Sequence, residues 1–152
     1  MKRYWGAAKN KRGHGFEETV ADLFRKNGWH ARKVLMTELG TSSTLGDIDV
    51  LAWKPTGEVL IVECKHLLLA RTVAEVAEVC RRFRGEVGDE LVKHVKRVAW
   101  VRENPSSLES IIGFRPVCGR IDDRLVTNTH VPMMYLTSLP IEADKIGPLK
   151  LG

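Results

Sequence analysis

Short apolar runs in this chain alternate with segments whose apolar residues recur every three or four positions. That is the pattern of a mixed α/β protein. In FEETVADLFRKNG, Phe16, Val20, Leu23 and Phe24 share one helical face, and Asn27-Gly28 supplies a stop. WHARKVLMTE predicts a first strand, ELGTSSTLG (38–46) a loop, DIDVLAWK a second strand and EVLIVECKHL a third. Only Pro55-Thr56-Gly57 separates the last two, so they form an antiparallel hairpin. Thr72 can cap a long helix, TVAEVAEVCRRFRGE, with Val73, Val76, Ala77, Cys80 and Phe83 along one face. Gly85 and Gly88 interrupt it before DELVKHVKR resumes. VAWVRE (98–103) predicts a fourth strand, SSLESIIG a short helix, and RPVCGRIDDRLVTNTHVPMMYL one or two short strands around an Asp-Asp turn. The expected fold is α/β, a mixed central β-sheet flanked by helices in the order αβββαβ. One domain is expected over 1–152, with its core at about 13–103 and C-terminal additions at 104–152. The irregular tail would also suit a domain cut from a longer protein.

Composition narrows the class. No stretch approaches the roughly 18 apolar residues of a membrane span, and the basic start MKRYWGAAKNKRGHG has no apolar segment of a secretory signal. The three cysteines, Cys64, Cys80 and Cys118, are widely spaced and form no CxxC. A zinc site or disulfide framework is therefore not expected, and a reducing cytoplasm is the natural setting. The formal net charge of +5 suits a polyanionic partner, and Lys2, Arg3, Lys9, Lys11 and Arg12 crowd the start, as a solvated basic end also would.

The chemistry concentrates in GDIDVLAWKPTGEVLIVECK. A strand alternates its side chains with period two, so Glu63 and Lys65 share a face within an otherwise apolar run. Burying such groups costs several kcal/mol unless they are paired or bound to a metal. Asp49 on the partner strand supplies a second carboxylate. Asp47 shares its face by alternation, but follows the loop glycine and can be solvated, so Asp49 is preferred. On the first helix, at about 100° per residue, Glu17 lies about 75° from the apolar face and Glu18 about 175° from it. Glu17 can border a site on the sheet, and Glu18 faces water.

These residues carry a resemblance to the PD-(D/E)XK nuclease superfamily, the fold shared by restriction endonucleases and archaeal Holliday-junction resolvases. It covers about 13–103: a Glu-bearing helix, an Asp on the second strand, Glu-x-Lys on the third, then helix and strand. The resemblance implies a restriction-endonuclease-like core in which Asp49 and Glu63 hold a divalent metal with the backbone carbonyl of Cys64. It implies that Lys65 orients or helps deprotonate the attacking water and that Glu17 is the auxiliary carboxylate. The sequence departs from the named pattern at Ile48, where the family's proline precedes the catalytic Asp. The chemistry agrees: phosphodiester hydrolysis needs charge neutralisation and an activated water. Magnesium, with manganese able to substitute, takes one or two carboxylates plus waters and phosphate oxygens.

Other signals are weaker. His66 points away from Glu63 and Lys65 and reads as a core-edge or surface residue. His14, His94 and His130 read as exposed. Arg81, Arg82 and Arg84 could line a nucleic-acid groove, though such a run is more often the solvated side of a helix. Trp5, Trp29, Trp53 and Trp100 read as core or core-edge packing. The expected function is a Mg2+-dependent endonuclease acting on DNA in restriction, repair or defence. A non-catalytic nucleic-acid-binding module, a structure-selective junction resolvase and an RNA-cleaving member of the fold are the alternatives. A homodimer, further domains or partner proteins are in keeping with the resemblance.

Overall fold

The hairpin that carries the acidic residues sits at the centre of the sheet. The computed structural model describes residues 15–67, 71–81, 91–128 and 146–148. The basic amino-terminal segment, Phe83, Gly85 and Gly88, Arg82 and Arg84, His14, His130 and Trp5 lie outside them. Helix α1 (15–26) is followed by β1 (His30–Val34), β2 (Ile48–Trp53) and β3 (Val59–Lys65). Helices α2 (Val73–Arg81), α3 (Val92–Glu103) and the short α4 (Glu109–Ile112) precede β4 (Ile121–Thr127) and the three-residue β5 (Ile146–Pro148). The strands form one five-stranded sheet in the order β1-β2-β3-β4-β5. The β1–β2 and β2–β3 pairs are antiparallel, whereas β3–β4 and β4–β5 are parallel. The fold is thus mixed α/β, with helices on both faces of the sheet.

Each face has its own core. Val20, Ala21 and Phe24 of α1 pack with Ala31, Val50, Ala52, Val62, Cys64 and Val126. On the other face Val98 and Val101 of α3 meet Ile48, Leu51, Val59, Ile61 and Ile121, with Leu108 and Ile112 beside them. The stop at Asn27-Gly28 is a Schellman turn: Gly28, at φ 86°, donates to the Arg25 carbonyl (3.2 Å), and Trp29 donates to that of Phe24 (3.1 Å). Gly28 reaches this left-handed conformation because it lacks a Cβ.

Two elements differ from expectation. Residues 98–103 belong to α3, not to a fourth strand. Its buried residues His94, Arg97, Val98 and Val101, with Leu91 just before it, follow a three-to-four spacing. Burial of that stripe against the sheet overrides the strand preference of the valines. The fourth strand is instead 121–127, so the sheet reaches past residue 103, and Asp122-Asp123 lies within β4 rather than in a turn. Strand β4 buries Ile121, Asp123, Leu125 and Thr127 on alternate positions.

Helix α2 has the expected start: the Thr72 hydroxyl accepts from the Glu75 N–H (3.2 Å), and the Glu75 carboxylate accepts from the Thr72 N–H (3.2 Å). Its apolar face is not buried as expected, because Val73 is 88% exposed and Ala77 is exposed too. Arg81 is exposed and paired with Glu78 (2.6 Å), the solvated arrangement of such a run.

Leu51→Ala should lower stability by about 2–5 kcal/mol through cavity formation, whereas Val73→Ser should leave the urea midpoint within error. Equal losses for the two would place α2 in the core.

Candidate active site

Asp49 reaches its place through a bulge. Arg32 pairs with Leu51 and Val34 with Ile48, so three steps along β2 match two along β1. The extra residue falls at Asp49–Val50, which lets both Ile48 and Leu51 enter the same core while Val50 and Ala52 enter the other. Bulges re-aim side chains in this way. The Asp49 carboxylate turns along the sheet, where Oδ2 accepts the Cys64 N–H at 2.8 Å. The N–H and C=O of a residue in an antiparallel pair point to the same neighbour, so the Cys64 carbonyl also lies on the β2 side.

Glu63 is 5% exposed, and its carboxylate is held from several sides. Lys65 Nζ lies 3.0 Å from Oε1, on the shared face expected from strand periodicity. Arg97 Nη2 donates to Oε2, while Arg97 Nη1 donates to the Leu45 carbonyl (2.6 Å). Arg97 therefore ties Glu63 to the loop that leads into the Asp49 strand. The loop backbone comes close at Gly46, where a Cβ would stand 3.0 Å from Arg97 Nη1.

The expected site residues are brought to one end of the hairpin. Burial, and then the charge of Glu63, push the Asp49 carboxyl from its ordinary 3.8 up to about 7; the Cys64 N–H opposes the shift, Glu17 adds to it and Lys65 opposes it. Glu17 is thus close enough to act on Asp49, and its Oε2 lies 3.6 Å from Lys33 Nζ. Glu18 is exposed and pairs with Arg25 (2.9 Å). The Cys64 side chain joins the core under α1, and burial, then the charge of Asp49, push its thiol up. His66 is exposed on the α1 face, its ring 5.7 Å from that of Phe16.

Three residues escaped sequence reasoning. His94 is fully buried, not exposed as expected, with Nδ1 3.9 Å from Glu63 Oε2 and Nε2 3.7 Å from Asp123 Oδ2. Neither ring nitrogen makes a hydrogen bond. Asp123 also meets Arg102 Nη2 at 3.4 Å. Arg97 and His94 are three apart on α3, so both face the sheet. The helical spacing of LVKHVKRVAWV could have found them, had the segment not been divided at Val98.

Among the described residues, no group of three or more His, Cys, Asp or Glu side chains lies close enough to hold a metal by itself. The donor set is two carboxylates and one carbonyl. That suits a hard cation such as Mg2+, which takes few protein ligands and completes its shell with water and phosphate. The raised Asp49 carboxyl points the same way, since a cation would relieve its repulsion with Glu63.

Fold and site together define a mixed α/β protein with a buried acid–base cluster where β2 and β3 meet. A family model described as "Anti-phage protein Upx-like" matches residues 1–149. The chain belongs to this Upx-like anti-phage family, and a defence-type role follows from that membership. Searches of curated proteins and of solved structures found no match. No helix among the described residues is long and apolar enough to cross a membrane.

The raised Asp49 carboxyl has a consequence for stability. Between pH 4 and 7 the folded chain retains a proton that the unfolded chain has released, so this group's contribution falls as pH rises. Asp49→Asn should therefore raise the free energy of unfolding in EDTA at pH 8, read from urea titrations, by an amount on the order of a few kcal/mol, and change it little at pH 4. An equal change at both pH values would contradict the burial of a charged Asp49. Arg97→Ala should destabilise by about 3–5 kcal/mol, because it removes one of the two cations that balance the buried Glu63 carboxylate. Adding Glu63→Gln should recover much of that loss in a double-mutant cycle.

Proposed function

We propose that this chain is a Mg2+-dependent nuclease of PD-(D/E)XK type that cuts DNA in defence against phage. The observation that carries the reading is the convergence of Asp49, Glu63 and Lys65, with Asp49 made abnormally basic by burial and by Glu63. Asp49, Glu63 and the Cys64 carbonyl would hold the cation, and Glu17 would assist from α1. When bound, the cation supplies charge neutralisation at the phosphate and a more acidic water.

The chain's own groups have distinct tasks. Lys65, beside Glu63, places positive charge where the attacking water and the phosphate meet. Arg97 fixes the Glu63 rotamer and, through Leu45, the loop that enters the Asp49 strand. The Cys64 N–H fixes one Asp49 oxygen and leaves the other for a ligand. The net charge of +5 favours a phosphate backbone without reading its sequence.

One observation favours a second reading. Glu63 is already balanced by Arg97 and Lys65, as in a structural ion-pair network, and that would suit a non-catalytic nucleic-acid-binding module. A cleavage assay separates the two. Wild-type chain should nick supercoiled plasmid with Mg2+ or Mn2+ and leave it intact in EDTA. Asp49→Asn and Lys65→Ala should each lose about 100-fold or more of the cutting rate while retaining DNA affinity. Equal cutting by all three would remove this site from the chemistry. Binding without cutting of plasmid, single strands, RNA or a four-way junction would establish the non-catalytic reading. Preferential cutting of RNA or the junction would reassign the substrate.

A further inference from the structure

A second feature lies at the opposite end of the same strands. A cleft of about 670 Å³ wraps the amino ends of β3 and β4, lined among others by Trp29, Glu58, Arg102, Arg120, Asp122 and Arg124. Its lining residues at the start of β3, Glu58, Val59 and Leu60, lie three to seven positions from Glu63 and Lys65, roughly 10–23 Å along an extended strand. Its volume falls within the range that encloses small ligands.

Three arginines against two acids line the cleft. Arg124 pairs with Asp122 (2.8 Å), Arg102 meets Asp123 just outside the lining (3.4 Å), and the Glu58 carboxylate accepts from the Thr56 hydroxyl (2.7 Å). Arg120 Nη1 donates to the Thr56 carbonyl (2.9 Å) and lies against Gly57, where a Cβ would come within 3.0 Å of it. Gly57 has φ 103°, a backbone conformation that favours glycine. Arg102 donates from Nε and Nη2 to the Ile121 carbonyl (3.1 and 3.0 Å). A guanidinium carries five donors, so these bonds orient each arginine and leave donors for a ligand. Such pre-ordering lowers the entropy lost on binding.

The remaining wall is aromatic. Trp29 packs at the edge of the α1 core, as the sequence suggests, yet its indole also lines the cleft. Lys54 Nζ stands over the ring, 4.5 Å from its centroid, so a base stacking on that face would take the place of the lysine. Fixed guanidinium donors select phosphate oxygens, and an indole face accepts a planar base. Both chemistries occur in one class of small unit.

We infer that this cleft binds a nucleotide, its phosphates on Arg120 and Arg124 and its base against Trp29. The unit can come from a free nucleotide or from a single strand, and the two sources share this chemistry. The inference goes beyond the nuclease reading and uses neither its metal nor its cutting.

The test is equilibrium binding to the full chain in EDTA, using ATP, GTP, inorganic pyrophosphate and a labelled ten-nucleotide single strand. At least one nucleotide probe should bind more tightly than pyrophosphate. Arg120→Ala, an exposed substitution, should weaken that probe at least tenfold, and Trp29→Leu should do so without changing pyrophosphate affinity. Val73→Ser, on the exposed face of α2 and outside both sites, should leave it unchanged. If Trp29→Leu fails to fold, Arg124→Ala should still weaken the nucleotide several-fold. Tighter binding of free nucleotide, or of the strand, names the source, and either result upholds the inference. It is overturned if neither binds, if Arg120→Ala changes affinity less than twofold, or if pyrophosphate binds as tightly as every nucleotide.

Discussion

A carboxylate inside a sheet has to be neutralised, and much of this molecule is arranged around neutralising Glu63. Its strand runs between two helix-covered faces, so water cannot do the work. Lys65 supplies one cation from the same strand, and Arg97 supplies another from α3. Because Arg97 also holds the Leu45 carbonyl, placing one charge fixes the helix, the loop and the entry to β2 together. Removing Arg97 would leave Lys65 alone to offset the burial of Glu63. The ion pair therefore specifies the arrangement of three elements more than it adds to stability.

The hairpin was legible because its signals are local. Period-two alternation put Glu63 and Lys65 on one face, the Pro-Thr-Gly turn closed the strands, and helical angles separated half-buried Glu17 from exposed Glu18. The bulge at Asp49 was not legible, since its cause is the pairing with β1 and no local residue marks it. Strand β4 and helix α3 were misread for a common reason. Asp123, His94 and Arg97 are buried polar residues, and they occupy positions where a hydrophobic pattern expects apolar ones. Asp122-Asp123 consequently looked like a turn, and His94 like an exposed residue. Their contacts come from segments distant in the chain: His94 lies against Glu63 and Asp123, and Arg97 reaches Glu63 and the Leu45 carbonyl.

The two ends of β3 show opposite electrostatic problems. At its carboxyl end burial, and then the charges of Glu63 and Glu17, raise the Asp49 carboxyl. At its amino end Arg102, Arg120 and Arg124 crowd one cleft, each fastened to a carbonyl. On the two proposals above, one end would take a cation and the other an anion, and a nucleic acid with its counterions contains both. Family membership in anti-phage defence is in keeping with such a ligand.

The energetics of the acidic end bear on how such a site can be retained. An Asp49 carboxyl at about 7 is about half protonated at neutral pH, so the folded chain holds it between two states. Any partner that prefers the ionised form must first release that proton, and its affinity rises with pH over the same window in which the unliganded fold weakens. Binding and stability are linked, so the free energy withheld from the unliganded fold reappears as preference for the bound one. Asparagine in place of Asp49 could still accept the Cys64 N–H, and it would make a firmer sheet at neutral pH while forfeiting that preference. The proposed function thus gives an acidic residue at this bulge a physical reason that packing alone does not.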